Sequence, residues 1–261
     1  MNLAQPTMTQ EPFWRWRDVC VLIATAIILI TAANMLTVAL FMRDGTPRDE
    51  LAIPWSVNFG LLAVQVIVML GSVYAILRWR GLDFSVLKLH WPQRCWIKSA
   101  VVFAVVLRIW MVPITALLGV LGFPMENPQI AFFAPEGMTV LAAIGMLLMG
   151  GIAIPIAEEV FFRGVIYTWL RQWGKTMALI VSSLLFAIAH LHPTIVVSTF
   201  LVGLIAGMLY ERSQSLWTSI LVHCLFNITG ILLIYVYLAL GIDLSGQDVS
   251  ALIAPMLGIA R

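Results

Sequence analysis

The sequence predicts an all-α fold: a polytopic transmembrane helical bundle of about seven to eight spans with its N-terminus in the cytoplasm. Three observations carry this expectation. Of 261 residues, 61% are hydrophobic and only 11% are charged, whereas a soluble domain carries about a quarter charged residues. The charges gather in short clusters between apolar runs long enough to cross ~30 Å of hydrocarbon. Lys and Arg also fall unevenly on alternate connections.

The apolar runs place seven spans: Val19–Phe41, Val57–Leu77, Ile97–Leu121, Met138–Leu170, Met177–Leu191, Thr194–Tyr210 and Leu216–Leu240. The first has no small-residue cleavage site behind a short apolar region, so it reads as an uncleaved helix rather than a signal peptide. The fourth is too long for one straight span and contains Gly150, Gly151 and Pro155, which predicts a bend or a strong tilt. The fifth is short and stops at His192-Pro193, and Ala251–Ala260 suits an interfacial segment or half-helix. Counting Lys and Arg gives eleven on the side of the N-terminus against three (Arg43, Arg48, Arg261) on the other, with Arg108 inside a span. The positive-inside rule then sets the orientation, and seven spans put the C-terminus outside. Segment 82–96, with alternating apolar residues, reads as a cytoplasmic interface helix.

The resulting organisation is a cytoplasmic tail (1–18), N-terminal transmembrane helices (19–137) with a basic cytoplasmic loop (78–98), a transmembrane core (138–240), and a C-terminal tail or half-helix (241–261). The net charge of +2 is too small to suggest nucleic acid. Cys20, Cys95 and Cys224 form no CxxC pair and predict no disulfide framework.

Ionisable groups inside a bilayer are costly, so each requires a reason. Glu158, Glu159, Arg163, His190, His223 and Asn227 all lie in otherwise apolar runs. Glu159 and Arg163 are i, i+4 in the order that favours an ion pair, and a helix-locking role is the first reading of that pair. Glu158 is turned about 100° away, so its partners must come from other helices. Phe186 with His190, and His223 with Asn227, share helix faces at the same spacing. From the cytoplasmic ends, Glu158 and His190 lie roughly 20 Å deep, and His223 and Asn227 roughly 10–16 Å deep. A carboxylate, two imidazoles and an amide can therefore meet as a candidate hydrolytic centre. The carboxylate would act as general base, the imidazoles would bind a metal or stabilise an oxyanion, and the amide would add a donor. His90 reads as interfacial and His192 as a capping or loop residue. Asn34 and Arg108 are lone polar groups in spans one and three, Arg108 either pairing with a carboxylate or snorkelling. Gly203 and Gly207 suit close helix packing.

Several signatures are absent, among them HExxH and GxSxG. Gly174-Lys175-Thr176 resembles the end of a phosphate loop, but position 169 is Trp rather than Gly. The sequon Asn227-Ile228-Thr229 lies inside a span.

Glu158-Glu159-Val160-Phe161-Phe162-Arg163 is EExxxR, Phe186 to His190 is FxxxH, and His223 to Asn227 is HxxxN. In this order, and over roughly residues 138–230, the sequence resembles the CPBP family of intramembrane proteases, which includes CAAX prenyl endopeptidases and Abi or bacteriocin-processing proteins. The resemblance implies a multi-pass enzyme of the cell membrane, of prokaryotic type, whose catalytic core is 138–240. It implies that Glu158 activates water, that His190, His223 and Asn227 complete the site, and that Glu159 and Arg163 support it. The substrate implied is a membrane-anchored peptide or protein, CAAX-like or of leader or bacteriocin type, met within the lipid bilayer. One divalent metal, zinc foremost, is the cofactor expected, held by His190 and His223 with Glu158 as ligand or base. A non-catalytic scaffold or bacteriocin-immunity protein is the alternative, and a transporter a weaker third, lacking an inverted repeat.

Overall fold

A computed structural model of the chain describes residues 13–41, 53–123, 132–134 and 139–241. Seven helices follow one another, and no strand occurs among the described residues: α1 (Trp16–Phe41), α2 (Trp55–Trp79), α3 (Arg94–Val120), α4 (Val140–Trp173), α5 (Lys175–Ile188), α6 (Pro193–Ser213) and α7 (Leu216–Ala239). Six are long and apolar enough to cross a membrane; α5 is not. Exposed apolar side chains such as Ile27, Leu36, Ile67, Ile109 and Val112 cover the outer faces of α1–α3. A continuous surface of that kind belongs against lipid. The chain is an integral membrane protein with an all-helical bundle fold.

Against the seven or eight spans expected, six helices among the described residues qualify by length and composition. At ~1.5 Å per residue, the 14 residues of α5 rise about 21 Å, short of the hydrocarbon thickness. The cause is Pro193, which opens α6 and holds His192 in extended backbone (φ −125°, ψ 125°), where a helix cannot continue. The N–H groups of Ile195 and Val196 then bond to the His192 carbonyl. The chain reverses at the depth where α5 stops, and α5 and α6 form a helical hairpin. Gly203 and Gly207 let its two arms close. A Cβ at Gly203 would stand 3.0 Å from the Ser183 Cβ, and one at Gly207 2.7 Å from the Leu179 Cδ1.

Segment 82–96 is not the interface helix expected. Before α3 begins at Arg94, only Phe84–Leu87 turns, as a single 3-10 turn capped by the Asp83 carboxylate on the Ser85 N–H, and Lys88 then enters the left-handed region (φ 54°). Pro92 keeps Trp91 out of helix. The segment is instead tied to the α6–α7 turn. Lys88 Nζ donates to Gln214 Oε1 at 2.6 Å, Leu216 N–H to the Lys88 carbonyl at 3.1 Å, and the Ser215 hydroxyl to the His90 carbonyl. The His90 ring meets the Gln214 carbonyl at 2.8 Å.

The basic segments assigned to one side do gather at one end of the bundle. Arg80 reaches Asp18 at 2.5 Å and the Phe13 carbonyl at 2.8 Å, while Arg171 and Lys175 pair with Glu211 at 2.9 and 3.0 Å. Arg163, counted among the eleven, is instead fully buried inside the bundle. Asn34 satisfies itself on the Ile30 carbonyl of its own helix. The proposed C-terminal half-helix and the arginines at 43, 48 and 261 lie outside the described residues.

Candidate active site

The bend expected in the fourth span takes a specific form. Residues Met149–Ala153 and Val160–Tyr167 of α4 are π-helical, flanking the short α-helical piece Ile154–Glu159 that carries both glutamates. Proline explains the first stretch. In π register the carbonyl of residue i meets the N–H of i+5, as Ile154 N–H does on the Met149 carbonyl. The next such partner of Gly150 would be Pro155, which has no N–H. Asn227 fills the gap: its Nδ2 donates to the Gly150 carbonyl at 3.1 Å. In the second stretch the Gly164 carbonyl takes the Trp14 indole N–H at 2.8 Å and the Thr168 hydroxyl at 2.6 Å. Side chains thus satisfy backbone groups that the irregular helix leaves open.

Between these stretches a charged chain runs inward. Arg163 Nη1 donates to Glu159 Oε1 at 2.8 Å, its Nη2 to the Gly203 carbonyl at 3.0 Å, and its guanidinium lies 4.7 Å from the centre of the Phe186 ring. Glu159 also accepts the Ser219 hydroxyl, and at 2.8 Å the Nδ1 of His223. A carboxylate on Nδ1 fixes the imidazole tautomer with that nitrogen as donor. In the neutral ring Nε2 is then an acceptor, and it faces Glu158 Oε2 at 3.7 Å. Glu158 also accepts Gln65 Nε2 at 3.4 Å. Exposure separates the two carboxylates: Glu159 is 0% exposed, while Glu158 is 7% exposed and lines a cavity of about 1010 Å³.

His190 stands just beyond the end of α5. Its Nδ1 donates to the Phe186 carbonyl at 2.9 Å, and its ring packs edge-on against Phe186, which His223 touches from another side. The six residues singled out from the sequence therefore converge on one region. Glu158, His190, His223 and Asn227 line the same cavity, with Glu159 and Arg163 buried behind them. Asn227 also holds the π-helical backbone through its bond to the Gly150 carbonyl. Replacing it with Leu leaves the Gly150 carbonyl unpaired and should cost about 1–3 kcal/mol. Thermal unfolding in detergent checks this, and an unchanged midpoint would show that the carbonyl finds another donor. Gln65 and Ser219 were not singled out from the sequence. An amide in the middle of the apolar run Val57–Leu77 is the available signal for Gln65; a serine in a span carries none.

The donor set does not fit the metal expected. Among the described residues no group of three or more His, Cys, Asp or Glu side chains is placed to hold an ion. Each histidine donates Nδ1–H, His223 to a carboxylate and His190 to a backbone carbonyl, which leaves Nε2 of each as its ligand atom. Only His223 Nε2 closes on Glu158, so two donors converge where a zinc centre draws three or four from the protein.

Comparison with known proteins bears on residues 140–229, which match the family model described as type II CAAX prenyl endopeptidase Rce1-like. UPF0177 protein YaiH of Lactococcus lactis subsp. lactis (strain IL1403) is 38% identical over 77 residues, covering 29% of this chain and 32% of that protein. The match thus spans about a third of the length of the curated relative. No solved structure matches the chain significantly. The matched segment begins with α4 and ends in α7, and so contains all three motifs and every residue of the relay from Arg163 to Glu158. Over residues 140–229, about a third of its length, the chain is similar to the Rce1-like family of type II CAAX prenyl endopeptidases.

Proposed function

We propose that the protein is an intramembrane endopeptidase that hydrolyses a peptide bond of a membrane-associated substrate, CAAX-like or of leader or bacteriocin type. The observation that carries this reading is the pairing of Glu158 Oε2 with His223 Nε2 at 3.7 Å on the wall of a large cavity. Both atoms are acceptors when His223 is neutral, so one water can give a hydrogen to each. Its oxygen lone pairs then point away from the carboxylate, toward a peptide carbonyl in the cavity.

Glu158 takes a proton from this water as the oxygen adds to the carbonyl carbon. The tetrahedral oxyanion needs a donor, and we assign that role to His190, which lines the same cavity. With Nδ1 donating to the Phe186 carbonyl, His190 can donate from Nε2 only as the imidazolium, so this role requires the ring to be protonated when substrate is bound. As the C–N bond breaks, Glu158 returns the proton to the leaving nitrogen, yielding a new carboxyl and a new amine. Glu159, Arg163 and Ser219 act on His223 rather than on substrate. They hold Nδ1 as the donor, so that Nε2 stays an acceptor.

The test is the purified chain in lipid vesicles with prenylated and unprenylated peptides, the products being identified by mass spectrometry. An internal cut is expected; a folded sample that cuts none of them would favour the scaffold reading. Because the donor set does not assemble a metal site, chelation is expected to leave the rate unchanged and metal content to stay below one equivalent per chain. Loss of activity on chelation, restored by zinc, would instead require the α5–α6 turn to rearrange and bring His190 onto Glu158.

A further inference from the structure

At the basic end of the bundle, α1 and α2 enclose a second recess of about 520 Å³, which shares no residue with the cavity at Glu158. Arg15, Arg17, Asp18 and Val21 line it from one side, and Ile76, Trp79 and Arg80 from the other. Its charges are unbalanced. Arg80 is held by Asp18 at 2.5 Å and by the Phe13 carbonyl at 2.8 Å. Arg15 and Arg17 are exposed and have no carboxylate partner among the described residues; the Arg17 guanidinium lies 5.4 Å from the centre of the Trp16 ring. Three guanidiniums therefore meet one carboxylate, a surplus of two positive charges around one mouth.

The deeper part of the recess is different in kind. Val21 and Ile76 make it apolar, and the indoles of Trp16 and Trp79 stand beside the arginines, 61% and 82% exposed. Exposed indoles at a helix end mark the membrane–water interface. From Trp16 to Val21 α1 rises about 8 Å, and from Arg80 back to Ile76 α2 rises about 6 Å. The headgroup layer of one leaflet is about 5–8 Å deep. Solvation alone would account for arginines on an open surface, but not for arginines standing over a hydrophobic recess between two helices. An anion at the mouth would satisfy them, and their planar forks suit a phosphate. A free phosphate would leave the apolar part unfilled, whereas a molecule carrying both phosphate and alkyl chain occupies the whole.

We propose that this recess binds one anionic phospholipid, its phosphate on Arg15 and Arg17 and an acyl chain along Val21 and Ile76. The lipid bridges the ends of α1 and α2 beside the Asp18–Arg80 pair. The site stands whether or not the chain is a peptidase, because no residue of the hydrolytic centre takes part in it.

The test titrates the full chain, purified in a neutral detergent, with phosphatidylglycerol and with phosphatidylcholine of the same acyl chains. Native mass spectrometry counts the lipid bound. Wild type should saturate with one phosphatidylglycerol, held roughly 10-fold more tightly than phosphatidylcholine. Arg15→Gln/Arg17→Gln should weaken phosphatidylglycerol binding by about 25-fold, near fivefold for each arginine. Arg78→Gln/Arg94→Gln removes the same charge outside the recess and should leave binding near wild type. Millimolar inorganic phosphate should not displace the lipid. Equal retention of the two lipids, or an equal loss in both double variants, would reduce the arginines to general surface charge and overturn the proposal. Displacement by inorganic phosphate would overturn it too, reassigning the recess to a free anion. Should Arg15→Gln/Arg17→Gln fail to fold, the headgroup comparison and the phosphate competition on the wild-type chain decide alone.

Discussion

Glu158→Gln is expected to lower peptide cleavage by about 10³-fold while leaving thermal unfolding in detergent close to wild type. The two halves of this expectation have separate causes. Glutamine keeps the volume of glutamate and can still meet Gln65, but it cannot take a proton from water. Stability should survive because Glu158 is only loosely tied into the bundle, by contacts of 3.4 Å to Gln65 and 3.7 Å to His223. No arginine or lysine is paired with it among the described residues, so neutralising it strands no counter-charge. The reciprocal change, Glu159→Gln, makes the contrast. Glu159 holds Arg163, Ser219 and His223 at once, so its loss should reduce stability and rate together. A purified Glu158→Gln protein that cleaves at the wild-type rate would remove Glu158 from the chemistry.

The sequence made the helices and the converging residues legible for one physical reason: in a bilayer, apolar length and misplaced charge are both unmistakable. The three motifs reached the same cavity because spacing fixes faces, and faces fix partners. Other features depended on neighbours that a linear pattern does not show. The short α5 was visible as a short run ending at Pro193, yet whether it crossed depended on where the chain turned. The spacing within 82–96 suggested a helix. Hydrogen bonds to Gln214, Ser215 and Leu216, more than a hundred residues away, hold it irregular instead. The bond from Asn227 to the Gly150 carbonyl could not be read from the sequence, because that carbonyl loses its helical partner only where α4 runs in π register toward Pro155. For Arg108 the sequence leaves a carboxylate or the interface open; among the described residues its contacts are a ring, a carbonyl and a hydroxyl of α7.

Arg163→Ala should produce the largest loss of stability of any single change at the site. Arg163 and Glu159 are both 0% exposed, so removing the cation leaves a carboxylate in the bundle interior with only Ser219 and His223 to hold it. Breaking one side of a buried pair typically costs 3–5 kcal/mol, about 10 °C in unfolding midpoint for a chain of this size. Two further contacts go with it, the bond to the Gly203 carbonyl and the cover of Phe186. Lysine should rescue little, because one ammonium cannot meet Glu159, Gly203 and the ring together. The double variant Glu159→Ala/Arg163→Ala separates a stranded charge from a lost packing contact. If the stranded carboxylate is the cause, the double variant will be less destabilised than the two single changes added together. Strict additivity, or a wild-type midpoint for Arg163→Ala, would show that the ion pair does not carry the fold. Activity should fall in parallel with stability, since the same carboxylate sets the tautomer of His223.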